Sequence, residues 1–156
     1  MFSSPTFKKI GALLIVGLRL RIDGPDELPA LWERFGRYFG NIPGQVGAEA
    51  YGVMYNVTNT ARGYQFDYLA GVAASSLEKV PRELNHLDIP AQSYATFTHE
   101  GPASQLSHTI AAIWQNWQEP WGRPSSGLVR TIEHYGEAFD PQTATGDIEV
   151  WIPLAH

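Results

Sequence analysis

The sequence predicts an α+β fold: one antiparallel sheet built from a strand–helix–strand–strand unit used twice, with the helices on one face and a concave cleft on the other. Three observations carry this. Apolar residues alternate with period two in some stretches and recur at helical spacing in others. The order strand, helix, strand, strand occurs in residues of about 10–72 and again in residues of about 89–154. A Gly-Pro pair opens each expected helix, Gly24-Pro25 and Gly101-Pro102.

The first strand is expected from Ala12 to Ile22, where Val16, Leu18, Leu20 and Ile22 alternate with Gly17, Arg19 and Arg21. A helix follows over roughly Asp26–Phe39. Its apolar stripe is Leu28, Leu31, Trp32, Phe35 and Phe39. Gly40 and Pro43 end it, and a Gly-rich loop leads to a strand at Glu49–Asn56. Asn59–Gly63 reads as a turn and Tyr64–Val72 as the third strand. Residues 73–88, rich in small residues and then in alternating charge, read as a linker.

The pattern then restarts. A strand is expected at Ala91–Glu100, and a helix at Ala103–Trp117 with the stripe Leu106, Ile110, Ile113, Trp114 and Trp117. Pro120 and Pro124 mark a loop over Glu119–Gly127. Leu128–Tyr135 and Asp147–Pro153 are the last strands, separated by a turn at Asp140–Gly146. In the final strand Ile148, Val150 and Ile152 share one face and Trp151 takes the other. Trp32 and Trp114 occupy like places in the two halves.

Composition bounds the function. The chain has 156 residues, 44% of them apolar and 17% charged, which suits a single domain, residues 1–156, with a real core. Only 11 Lys and Arg are present, scattered, and the net charge is −5, so direct nucleic-acid binding is not expected. There is no cysteine, which removes disulfides and thiolate chemistry and suits a cytoplasmic protein. The run IGALLIVGL is far short of the roughly 20 residues a membrane span needs, and it alternates like a strand. His86, His99, His108, His134 and His156 lie at no ligand spacing, so no metal and no cofactor are expected. His99 reads as packing near the Gly101 turn. No Gly-x-Ser-x-Gly elbow or phosphate-binding glycine fingerprint occurs.

Glu133 is the candidate site. It sits mid-strand with Ile132, Tyr135 and Phe139 as neighbours. Either it faces water, or it is the polar handle of an apolar pocket and is expensive to desolvate.

The chain resembles the GyrI-like, or AraC-type effector-binding, domain family. The carrying pieces are Phe66-Asp67-Tyr68-Leu69-Ala70-Gly71, Ile89-Pro90-Ala91-Gln92-Ser93-Tyr94-Ala95, Phe97-Thr98-His99-Glu100-Gly101-Pro102, Glu133-His134-Tyr135 and Ile148-Glu149-Val150-Trp151-Ile152-Pro153. The resemblance implies the duplicated fold and a cleft that holds flat, cationic organic molecules. It implies that Glu133 contacts the ligand and that aromatic side chains line the walls, with Tyr68 and Trp151 on cleft strands. Tyr55, Trp114 and Tyr135 complete the expected ligand-binding set, while Tyr68 and Trp151 equally suit core places, Trp114 on its helix stripe reads first as core with an edge toward the pocket, and Trp121 suits a lid. Some relatives are fused to helix-turn-helix DNA readers and others stand alone, a DNA gyrase inhibitor among them. The chain shows no helix-turn-helix pattern and is expected to stand alone. A subset of the family resembles hydrolases that open cyclopropane rings in aromatic toxins. Ala103 departs from the aromatic residue common in relatives and is expected to reshape one end of the cleft.

Three functions therefore stand open. The first is a small-molecule binder for sensing or sequestration. The second is a hydrolase of reactive aromatic electrophiles using Glu133 and Tyr68. The third is an inhibitor that binds a protein partner such as DNA gyrase. The sequence does not fix oligomeric state.

Overall fold

The computed structural model describes residues 2, 4–23, 27–61 and 63–155. Eight strands form one antiparallel sheet: β1 (Thr6–Ile10), β2 (Leu13–Ile22), β3 (Ala50–Thr60), β4 (Gly63–Ala73), β5 (Asn85–Ile89), β6 (Gln92–Thr98), β7 (Val129–Tyr135) and β8 (Ile148–Pro153). The sheet order is β1-β6-β8-β7-β3-β4-β2-β5. Among the described residues two α-helices, α1 (Leu28–Phe35) and α2 (Leu106–Gln115), complete an α+β architecture, a curled half-barrel sheet with helices packed on it.

The alternation within each strand decides the two faces. Leu18, Tyr68, Ala70 and Val72 turn toward α1, whose Leu31 and Phe35 are 1% exposed. Burying each such side chain contributes roughly 1.5–3 kcal/mol. Ala95, Phe97, Val150 and Ile152 turn toward Leu106, Ile110 and Ile113 of α2. Met54 packs against both groups, so the helices share one face of the sheet. The other face is filled by Tyr51, Val53, Tyr55, Leu69, Tyr94, Ile132 and Trp151.

Two strands were not expected from the sequence. β1 pairs with β6, and β5, at the end of the expected linker, pairs with β2. Both lie at sheet edges, where one half-buried partner suffices and no strong alternation is needed. The helix of Asp26–Phe39 is shorter in fact, ending at Phe35 with Gly36 as its C-cap. Its first turn carries Pro29, and the Gly24-Pro25 opening lies outside the described residues. The second helix begins as a 3-10 turn, Ala103–Gln105, and ends at Gln115, where the Asn116 side chain donates to the Ala112 carbonyl at 2.8 Å. Among the described residues no helix is long and apolar enough to cross a membrane.

Candidate functional site

Strand register builds the site. Glu133 on β7 pairs with Gly52 on β3, which pairs with Ala70 on β4. Tyr68 stands two residues from Ala70 and therefore shares its face. Its hydroxyl crosses over β3 and donates to Glu133 Oε1 at 2.5 Å. Tyr135, two residues beyond Glu133 and on the same face, donates to that same oxygen at 2.9 Å. Trp32 of α1 donates from Nε1 to the Tyr68 hydroxyl at 3.0 Å. The donor chain thus runs from the indole to one phenol to the carboxylate, with a second phenol added.

Gly52 makes the crossing possible. A Cβ there would lie 2.1 Å from the Tyr68 hydroxyl oxygen and 2.6 Å from Glu133 Oε1. No side chain fits, so this is a close-approach glycine rather than a turn glycine.

Glu133 is 6% exposed and has no ion-pair partner among the described residues. Burial pushes its carboxyl up to about 6, while the two phenol hydrogen bonds pull it back down. Burial and the adjacent carboxylate push both phenols, Tyr68 and Tyr135, well above their ordinary range, so they remain protonated donors. Both donate to Oε1, and no hydrogen bond to Oε2 occurs among the described residues.

These groups floor a cleft of about 1020 Å³. Its α1 wall includes Trp32 and Phe35, Phe39 joins from the turn after α1, and Phe139 from the loop after β7. The Trp32 ring meets Tyr135 edge-on at 5.4 Å and Tyr68 at 6.3 Å. Ala103 and Leu106 line the α2 side. Glu33 and Glu137 also line the cleft, and among the described residues no Lys, Arg or His does.

The cleft opens between the helices, which corrects the expectation that it lies on the face away from them. On that opposite face Tyr51, Tyr55, Tyr94 and Trp151 are at most 6% exposed and pack together as core.

The structure brings Glu133, Tyr68 and Tyr135 together. It places Tyr55 and Trp151 behind the sheet: Glu133 pairs with Val150, so it shares that residue's face and not that of Trp151. Trp151 instead stacks on His134 at 4.6 Å and donates to Glu149 at 3.1 Å. Trp114 stacks on Trp117, with the Arg130 guanidinium 4.4 Å from its ring, outside the cleft lining. Trp121 packs on Phe97 and Trp117 rather than over the cleft. His99 accepts the Thr109 hydroxyl at Nδ1 (2.7 Å) and donates from Nε2 to the Pro102 carbonyl at 2.9 Å, fixing the Gly101 turn.

Sequence reasoning missed Trp32, Phe39, Gly52, Glu33 and Glu137 as site residues and named Phe139 only as a neighbour of Glu133. Trp32 and Phe39 lay on the helix stripe and read as core. A glycine at the centre of an otherwise regular strand was the available signal for Gly52.

Comparison with known proteins places the chain. The GyrI-like small molecule binding domain matches residues 3–155. The transcriptional regulator BrlR of Pseudomonas aeruginosa is 30% identical over 146 residues, covering 92% of this chain and 52% of that protein. The chain thus spans about half of that relative's length. The solved structure of SAV2435 bound to tetraphenylphosphonium superposes with a TM-score of 0.73 at 12% identity, covering 98% of this chain and 94% of that one. The EcmrR C-terminal domain gives 0.67 at 15% identity, covering 98% and 97%. At such identities these two structures speak for the fold.

Proposed function

Because the chain belongs to the GyrI-like small-molecule-binding domain family, we propose that its cleft binds aromatic organic cations with Glu133 as counter-charge. The carrying observation is the carboxylate itself: buried and, among the described residues, without a protein cation and with no donor to Oε2, while two phenols hold Oε1. Such a group is costly to ionise alone and is satisfied by a cation brought from outside. Ring faces around it add roughly 0.5–2 kcal/mol each through cation–π contact. The tetraphenylphosphonium bound to SAV2435 supports this ligand class. Sensing or sequestration, in the cytoplasm, is the role that fits reversible binding.

The order of strands supports a duplication: β2, β4 and β3 lie side by side as do β6, β8 and β7, and the halves meet at β3 and β7. The cleft then lies over the seam between the two copies.

A thermal-shift screen tests the binding reading. Tetraphenylphosphonium raises the melting temperature by mass action, and a neutral aromatic of similar shape does not. Equal shifts with both, or none with a panel of aromatic cations, would remove the cation from the proposal.

A second reading has one observation in its favour. The 2.5 Å Tyr68–Glu133 contact pairs a phenol donor with a carboxyl held near neutrality, which suits acid–base work on a reactive aromatic electrophile. Turnover separates the two readings: hydrolysis yields a product heavier by one water, and binding leaves the ligand intact.

A further inference from the structure

The cleft carries more acid than a single contact at Glu133 uses. Glu33, from α1, and Glu137, from the loop after β7, line the same cavity. Both are exposed, whereas Glu133 is 6% exposed, so burial orders the three carboxylates from mouth to floor. Neither rim acid has an ion pair or a side-chain hydrogen bond among the described residues. At the floor, Glu133 lines the cavity with its side chain more than nine-tenths buried, and its Oε2 has no donor among the described residues. Apolar rings, Trp32 and Phe39 among them, line the same cavity. The volume of about 1020 Å³ lies at the upper end of the range for small-molecule clefts, beyond what a compact monocation needs.

We propose, on the reading that the cleft binds aromatic cations, that Glu33 and Glu137 form a second cation subsite at its mouth, so that elongated aromatic dications are its preferred ligands. One cationic end reaches Glu133, the ring system lies along the apolar walls, and the other end stays between the rim acids.

The two subsites differ in physics. The floor charge is desolvated and weakly screened, so it sets most of the affinity. The mouth charges face water, are screened by salt, and contribute little each. A dication therefore gains about three- to tenfold in all over a monocation of the same ring system at low salt, a figure that includes the roughly twofold statistical gain of having two equivalent ends.

Calorimetric titration at about pH 7.5 tests this with an aryl bis(trimethylammonium) ligand and its mono-quaternary counterpart. The full chain is used as wild type and as the Glu33→Gln/Glu137→Gln double variant, whose exposed positions leave the core untouched. The expected result is an affinity ratio of about three to ten in wild type at low salt. It falls to about two in the double variant and at roughly 0.5 M salt. A ratio unchanged by the double variant, or no dication advantage in wild type, overturns the subsite. If the monocation binds and depends on Glu133 while the dication gains nothing, only the subsite falls. If neither ligand binds wild type, the cation reading falls and the subsite with it.

Discussion

Tyr68 reaches Glu133 across an intervening strand, at 2.5 Å, because the residue beneath the contact has no side chain. Gly52→Ala tests this directly. Its methyl would lie 2.1 Å from the Tyr68 hydroxyl oxygen, so the pair must part or β3 must shift. Overpacking of this kind costs about 1–3 kcal/mol. Chemical denaturation should show that loss, together with weaker cation binding. Unchanged stability and unchanged binding would mean that the contact is not held as described.

Glu133 carries a pH signature. Its carboxyl is raised to about 6 in the folded chain from about 4.5 when unfolded. The folded state therefore holds the proton more tightly, and stability is lost as pH rises through the window from 4.5 to 6. Above that window the charge costs up to about 2 kcal/mol. Glu133→Gln keeps an acceptor for the phenols and removes the charge. It should be more stable than wild type at neutral pH, with the gap closing toward pH 4.5. A variant less stable than wild type at neutral pH would indicate that the carboxylate is compensated after all.

Tyr68→Phe removes the donor to Glu133 and the acceptor for Trp32. Loss of the buried bonds should cost about 1–3 kcal/mol in denaturation experiments. The carboxyl then loses one of the bonds that lower it, so the pH midpoint of cation binding should move upward. A midpoint that stays in place would separate Tyr68 from the electrostatics of the site.

Trp32 and Trp151 should behave oppositely. Trp151→Ala empties a packed position behind the sheet and should cost about 3–5 kcal/mol of stability. Trp32→Ala exposes the cleft floor and should weaken aromatic-cation binding by about 1–2 kcal/mol. Titration and thermal unfolding of the two variants read both effects. Binding losses that fall on Trp151 rather than Trp32 would reverse the assignment of faces.

The sequence made some of this legible and hid the rest for definite reasons. Alternation within a strand is local, so the pairing of Glu133 with Tyr135 on one face, and the separation of Trp151 from Val150, can be read directly. Register between strands is not local. Whether Trp151 or Val150 shares the face of Glu133 depends on how β7 pairs with β8, and that pairing puts the tryptophan behind the sheet. Trp32 lies on a continuous apolar stripe, which fits a core residue and a cleft wall equally well; only the position of α1 over Tyr68 separates them. The edge strand β1 escaped because Phe7-Lys8-Lys9 lacks an alternating signal, and β5 because its alternation, Leu87 and Ile89 against His86 and Asp88, spans only five residues at the end of a charged stretch that reads as linker. The helix–sheet elements, with long stripes and strict alternation, were the readable part.

Calorimetric titration of tetraphenylphosphonium into wild type and Glu133→Gln, from about pH 5 to about pH 8, tests the central claim most directly. Wild-type affinity should rise as pH passes through about 6 and then level off, with proton release on binding near that midpoint. The Gln variant should bind weakly and show no such pH dependence. Wild-type affinity that ignores pH, or a Gln variant that binds as tightly as wild type, would contradict the role of Glu133 as the counter-charge.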